Sequence, residues 1–237
     1  MPEAIRITTG EHRISGAWVE AAGPLAGILL LAHGAGARRD HPSMLTLAAS
    51  LSEHGFRSFL FNFPYTEAGR RRPDPAPTLI QTWIDVLVWA RRSPDAAGVP
   101  LLAGGRSMGG RMASLAAARH PDSFDPSGLV FFAYPLHPSG RTGKLRDAHL
   151  PGVRAPMLFL SGTRDTLAKV ELMDAVTRRL GGRTRLKWIE GADHGYHVLK
   201  RSGRTDEDVR EEAAGTLRAW CREMFQDRQD PGREGKS

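Results

Sequence analysis

The sequence predicts a single α/β domain, a mostly parallel twisted sheet with helices on both faces and an antiparallel hairpin at its start. Three observations carry this expectation. Strand-like apolar runs alternate with segments of helical period from about residue 27 onward. Gly27–Ala32 (G-I-L-L-L-A) is apolar without interruption, as a strand buried on both faces of a parallel sheet must be. The chain has 237 residues, 41% apolar and 25% charged, which is enough for one core without requiring two domains.

Each element has its own local reason. Residues 4–8 and 14–20 read as short strands around a turn at Gly10, Glu11 and His12. After the apolar run comes His33-Gly34-Ala35-Gly36, then a helix opened by Pro42, carried by Leu45, Leu47, Ala48 and Leu51, and stopped by Gly55. Residues 57–63 form the next strand, and 64–77 a loop rich in Pro and Arg. Ile80, Trp83, Ile84, Leu87 and Val88 then fall at helical spacing. Strand 100–104 leads into helix 108–119. Strands 129–134 and 156–161, helix 170–180, strand 185–189 and helix 206–224 complete the alternation. Right-handed crossovers between such units build a parallel sheet. The domain is expected to occupy residues 1–225, leaving the polar, aperiodic residues 226–237 as a disordered tail.

Composition narrows the function. A lone cysteine, Cys221, cannot form an internal disulfide and has no histidine motif beside it, so it reads as a packed or surface thiol. The first sixteen residues show no basic segment followed by an apolar one, and no apolar run is long enough for a bilayer. A cytoplasmic protein without a membrane partner is therefore expected. The net charge of +7 could attract nucleic acid, but the arginines are dispersed in twos and threes without interleaved aromatics. A solvated arginine-rich surface fits better, and no nucleic-acid partner is expected.

The chemistry is concentrated in Gly105-Arg106-Ser107-Met108-Gly109, a G-x-S-x-G stretch between an apolar strand and a small-residue helix. In that context the glycines let chain and helix approach around a strained turn that presents Ser107 as nucleophile. A phosphate-cradling loop is the competing reading, since Gly104 and Gly110 extend the run, but the Gly-Lys-Ser/Thr ending is missing. Asp165, closing Ser161-Gly162-Thr163-Arg164-Asp165, and His194, in Gly191-Ala192-Asp193-His194-Gly195, each follow a predicted strand. Their order after the serine is the one expected for an acid and a base at the carboxyl edge of the same sheet. Asp165 could also be a plain turn or cap residue, and Asp193 and Glu190 are rival acids. Two backbone donors for an oxyanion hole are expected at Met108 and, in the loop after Gly27–Ala32, at Ala35. His33, Asp40 and His41 are close in sequence but lack a third ligand at a recognisable spacing, so neither a metal nor a cofactor is expected.

With these residues in place the chain resembles the α/β-hydrolase fold superfamily. More narrowly it is similar to the α/β-hydrolase-like proteins grouped with the mammalian Tex30 and KANSL3 proteins, distant relatives of dienelactone hydrolases. The motifs behind this are His33-Gly34-Ala35-Gly36, Phe61-Asn62-Phe63-Pro64-Tyr65, the stretch from Gly104 to Ser114, Tyr134-Pro135-Leu136-His137-Pro138, Leu145-Arg146-Asp147-Ala148-His149-Leu150, Ser161 to Asp165, and Asp193-His194. The resemblance implies a Ser-Asp-His triad made of Ser107, Asp165 and His194. It leaves the substrate open, because some relatives serve as subunits of larger assemblies. Dienelactone hydrolases use a cysteine where this chain has Ser107, so their ring-opening specificity does not transfer.

Only about twenty residues separate Tyr134 from Pro156, too few for a helical cap domain. The expected site is shallow, covered by loops 65–77 and 137–151. Arg70, Arg71, Arg72, Arg141 and Arg146 on those loops would suit an anionic or polar remainder, the other reading being that they are simply solvated. The leading expectation is a serine esterase or thioesterase acting on a small-molecule acyl ester or thioester. The alternative is a non-catalytic interaction module on the same fold.

Overall fold

The computed structural model describes residues 4–226. Strands β1 (Ile5–Thr9) and β2 (His12–Val19) form the expected antiparallel hairpin. β3 (Gly27–Ala32) leads to helix α1 (Pro42–Glu53), β4 (Phe56–Phe61), a short helix α2 (Pro64–Glu67) and α3 (Ala76–Ala90). Then follow β5 (Leu101–Arg106), α4 (Met108–Arg119), β6 (Gly128–Phe132), β7 (Met157–Gly162), α5 (Val170–Leu180), β8 (Thr184–Ile189) and α6 (Asp206–Cys221).

The eight strands form one sheet in the order β1-β2-β4-β3-β5-β6-β7-β8. β2 pairs antiparallel with β1 and β4, and every pairing from β4 to β8 is parallel. Alternate residues of β3 show why its sequence is apolar throughout. Ile28, Leu30 and Ala32 pack with α3, α4 and α5 on one face, while Leu29 and Leu31 pack with α1 and α6 on the other. Cys221 is buried in that second layer, which pushes its thiol pKa up to about 12.

Some boundaries depart from expectation. The segment 64–77 is not wholly irregular: Pro64 fixes a helical φ at the first position of α2, which then runs one turn. Strand β4 stops at Phe61, where the Asn62 side chain turns to other partners. α6 begins with a capping box between Thr205 and Asp208 and ends at Cys221, passing into a π-helical turn at Arg222–Gln226 rather than continuing to residue 224 as α-helix. Beyond Gln226 the expected tail lies outside the described residues. Between Tyr134 and Pro156 the only helical element is the 3₁₀ turn Leu150–Gly152, so among the described residues no cap domain covers the carboxyl edge of the sheet.

Candidate active site

The turn from β5 into α4 is built by steric exclusion. A Cβ on Gly109 would stand 2.6 Å from the carbonyl oxygen of Ala32, and one on Gly105 would overlap that same oxygen. Only glycine lets β5, β3 and the start of α4 come this close. Between these glycines Ser107 takes φ 48° and ψ −112°, a conformation that L side chains rarely adopt. Its N–H donates to the Phe132 carbonyl at 3.0 Å, tying the strained residue to the end of β6. The energy stored there is supported by the surrounding sheet.

The three residues expected to form a triad converge. His194 Nε2 lies 2.8 Å from Ser107 Oγ, and His194 Nδ1 lies 2.8 Å from Asp165 Oδ2. Asp165 has a fully buried side chain, whereas the His194 side chain keeps 27% of its exposure. The other Asp165 oxygen accepts the Leu167 N–H at 2.7 Å, so both oxygens of the carboxylate are engaged. A buried carboxylate so bonded holds the proton of a neutral imidazole on Nδ1 and leaves the Nε2 lone pair to Ser107. Asp193, the rival acid, bonds within its own loop: Oδ1 accepts from the N–H groups of Gly195 at 2.7 Å and His197 at 3.0 Å. Glu190 is exposed.

Met108 opens α4, and the first N–H of a helix has no intrahelical acceptor. Across from it, Gly34 packs so closely that a Cβ there would sit 3.7 Å from Ser107 Cβ, and Ala35 follows in the same turn. Three residues hold the loops in place whose work the sequence did not disclose. His33 is wholly buried: Nδ1–H donates to the Gly34 carbonyl at 2.8 Å, and Nε2 accepts the Phe63 N–H at 3.3 Å. Burial lowers its pKa to about 4, so the ring is neutral. Asn62 accepts the Arg39 N–H at 2.8 Å and donates to Glu67 at 2.9 Å, fastening the far end of the same loop. His137 donates its N–H to the Leu167 carbonyl at 3.0 Å and accepts the Lys169 N–H at 3.3 Å through Nε2, clamping the loop that carries Asp165. His33, Asn62 and His137 all lie in motifs behind the family resemblance, which was the available signal.

Four of the five loop arginines behave as surface, and the fifth, Arg146, is half-buried, its carbonyl accepting the Tyr134 hydroxyl at 2.7 Å. Arg70 pairs with Asp74 at 2.6 Å, and Arg71, Arg72 and Arg141 are exposed. The arginine the structure does bring to the triad is Arg106, whose guanidinium donates to the His194 carbonyl at 2.7 Å. Among the described residues no three His, Cys, Asp or Glu side chains gather into a metal site, and no helix is long and apolar enough to cross a membrane.

A family model described as "Alpha/beta hydrolase domain" matches residues 26–222. The chain belongs to that family. Solved structures of similar fold include an alpha-beta serine hydrolase homologue from Coxiella burnetii, 19% identical with a TM-score of 0.73 over 92% of this chain and 98% of that one. Dienelactone hydrolase from Anabaena variabilis is 23% identical, with a TM-score of 0.68 over 95% and 96% of the two chains. A lidless serine hydrolase from Xanthomonas campestris is 18% identical, with a TM-score of 0.71 over 92% and 94%. At such identities the likeness is one of fold. Two Mycobacterium tuberculosis proteins named as candidate phosphoribosyl transferases are 29% identical over 194 residues, 81% of this chain. The chain spans about 41% of the length of those relatives. This hydrolase-family chain thus shares its whole fold with small hydrolases and one part of the length of longer proteins.

Proposed function

We propose that the protein is a serine hydrolase that cleaves an ester or thioester of a small acyl substrate through an acyl-enzyme. The observation that carries this reading is the unbroken relay from Ser107 Oγ through the His194 ring to the buried Asp165 carboxylate, both gaps being 2.8 Å. In this mechanism Ser107 Oγ attacks the carbonyl carbon while His194 Nε2 takes its proton. The imidazolium then protonates the leaving alcohol or thiol, and the acyl group stays on Oγ. Water attacks next, again losing its proton to Nε2, and Ser107 departs with that proton. The Met108 and Ala35 N–H groups would hold the oxyanion in both halves.

The narrower kinship with the Tex30- and KANSL3-like proteins rests on the motifs quoted above. The transferase name of the longer relatives is not carried over, because a Ser-His-Asp relay performs acyl transfer, not ribosyl transfer. The test is covalent labelling. A fluorophosphonate should label wild-type protein and leave Ser107→Ala unlabelled, with both variants folded. A panel of p-nitrophenyl and acyl-CoA esters should show turnover that Ser107→Ala lacks. Labelling equal in both proteins, or wild type inert to every probe, would favour a non-catalytic interaction module.

A further inference from the structure

Arg106 precedes the nucleophile, yet its side chain belongs to the opposite side of the turn from α4. The residue is 9% exposed, and its guanidinium carbon stands 5.0 Å from the ring centroid of Tyr196. Its hydrogen bond to the His194 carbonyl is to a neutral group. The carboxylates in electrostatic reach, Asp165 and Asp193, are occupied by His194 and Leu167 and by the Gly195 and His197 N–H groups. Burial pulls the guanidinium pKa below its ordinary value. A cation withdrawn from water in this way is costly unless an anion completes it.

Beside Arg106 lies a cavity of about 240 Å³, with His41, Tyr196, His197, Asp206 and Arg210 among its walls. Arg210 contributes a second guanidinium, whose buried Nε has no hydrogen-bond partner among the described residues. The single carboxylate in the wall is already engaged: Asp206 Oδ2 meets His197 Nδ1 at 2.6 Å and Oδ1 accepts the Val198 N–H at 3.0 Å. The cavity therefore holds two guanidinium groups and one carboxylate in its walls, with Arg210 also in electrostatic reach of Glu211 outside the lining. The cavity borders the triad through residues next to it, and through the Arg106 hydrogen bond to the His194 carbonyl, while Ser107 and His194 themselves lie outside its lining. Arg106 adjoins Ser107, Gly195 adjoins His194, and His41 ends the loop that begins at His33.

We infer that this cavity is an anion subsite of the active centre, taking the carboxylate or phosphoryl group carried by the acyl substrate. The inference rests on the serine-hydrolase reading. Guanidinium forks match such oxyanions in geometry as well as charge. The volume is below that of sites for drug-sized ligands and fits a single small anionic group of a substrate.

Binding can be read without turnover. Ser107→Ala protein is titrated calorimetrically with monomethyl succinate and with its neutral counterpart methyl butyrate, at low ionic strength. The succinate ester should bind at least about tenfold more tightly, and adding Arg210→Gln should remove that preference while Arg210→Lys restores part of it. Equal binding of the two esters, or a preference untouched by Arg210→Gln, overturns the inference. Because Arg106 is buried in the core and Arg210 only half-buried, Arg210 is the deciding position. Turnover of mono-p-nitrophenyl succinate against p-nitrophenyl butyrate then separates substrate from effector. A higher kcat/KM for the succinate, lowered toward parity by Arg210→Gln, is expected. Anion binding with no such preference would make the cavity an effector site and sink its assignment to the substrate. If neither ester turns over and a fluorophosphonate also fails to label Ser107, the hydrolase reading fails instead, and the titration still reports on the cavity.

Discussion

Asp165 meets His194 Nδ1 with one carboxylate oxygen at 2.8 Å while its other oxygen is fixed by the Leu167 N–H at 2.7 Å. An aspartate held at both oxygens cannot turn its carboxylate, so it can orient the imidazole facing it. That relationship makes the acid the first position to test. Asp165→Asn replaces an acceptor by a group that can donate, selecting the wrong tautomer. Turnover of an activated ester should fall by about 10⁴, with little change in substrate binding. Asp193→Asn keeps the Oδ1 acceptor for Gly195 and His197 and should cost less than about tenfold. Steady-state kinetics on the pair decide the matter, and the reverse ranking would move the acid to Asp193.

The strain at Ser107 has a stability consequence separable from chemistry. Both Ser107→Gly and Ser107→Ala remove the hydroxyl, but only glycine accepts φ 48° and ψ −112° without penalty. The glycine variant should be the more stable of the two by about 1 kcal/mol in urea unfolding. Equal midpoints would mean that the turn holds no strain at this residue.

Close approach at the same turn predicts a harsher outcome next door. Gly105→Ala puts a methyl group onto the Ala32 carbonyl, a backbone atom of β3 that cannot swing aside. Destabilisation of about 3 kcal/mol or more is expected, with loss of Ser107 labelling even where the protein stays folded. A variant that melts within a degree or two of wild type would contradict the packing described.

His33 supplies a pH dependence whose sign is fixed. In the unfolded chain its imidazole protonates near the ordinary 6.5, while in the folded protein burial holds the pKa at about 4. Between those values the unfolded state binds more protons, so stability declines as pH falls from 6.5 toward 4. The largest contribution is on the order of 3 kcal/mol. His149, also lowered to about 4 by burial and nearby arginines, acts in the same direction. Urea unfolding at pH 7.5 and pH 4.5 should show a smaller loss for His33→Asn than for wild type. An identical loss would place the acid sensitivity elsewhere.

How far the sequence discloses this protein depends on the range of the interaction. The steric demands of the turn at Ser107 are local, so Gly105 and Gly109 announced it, and β3 announced its double burial by having no polar residue. The meeting of Ser107, Asp165 and His194 followed from a rule of topology, since each lies beyond a parallel strand. Other features had no local mark. Arg106 looked like any arginine of a basic chain, because its burial is decided by Tyr196 and His194, some ninety residues away. His33 looked like a loop histidine until Phe63 and the surrounding core enclosed it. α2 was hidden because one turn of helix is too short to show a period.

The absence of a cap between Tyr134 and Pro156 carries a chemical consequence. An acyl group held on Ser107 would stand at the carboxyl edge of the sheet, over which the described residues between Tyr134 and Pro156 raise no helix beyond the 3₁₀ turn Leu150–Gly152. Acceptor alcohols and amines would then have to compete with solvent for every acyl group. On the proposed mechanism, water would be the acceptor nearest to that acyl group, and hydrolysis would prevail over transfer to alcohols or amines.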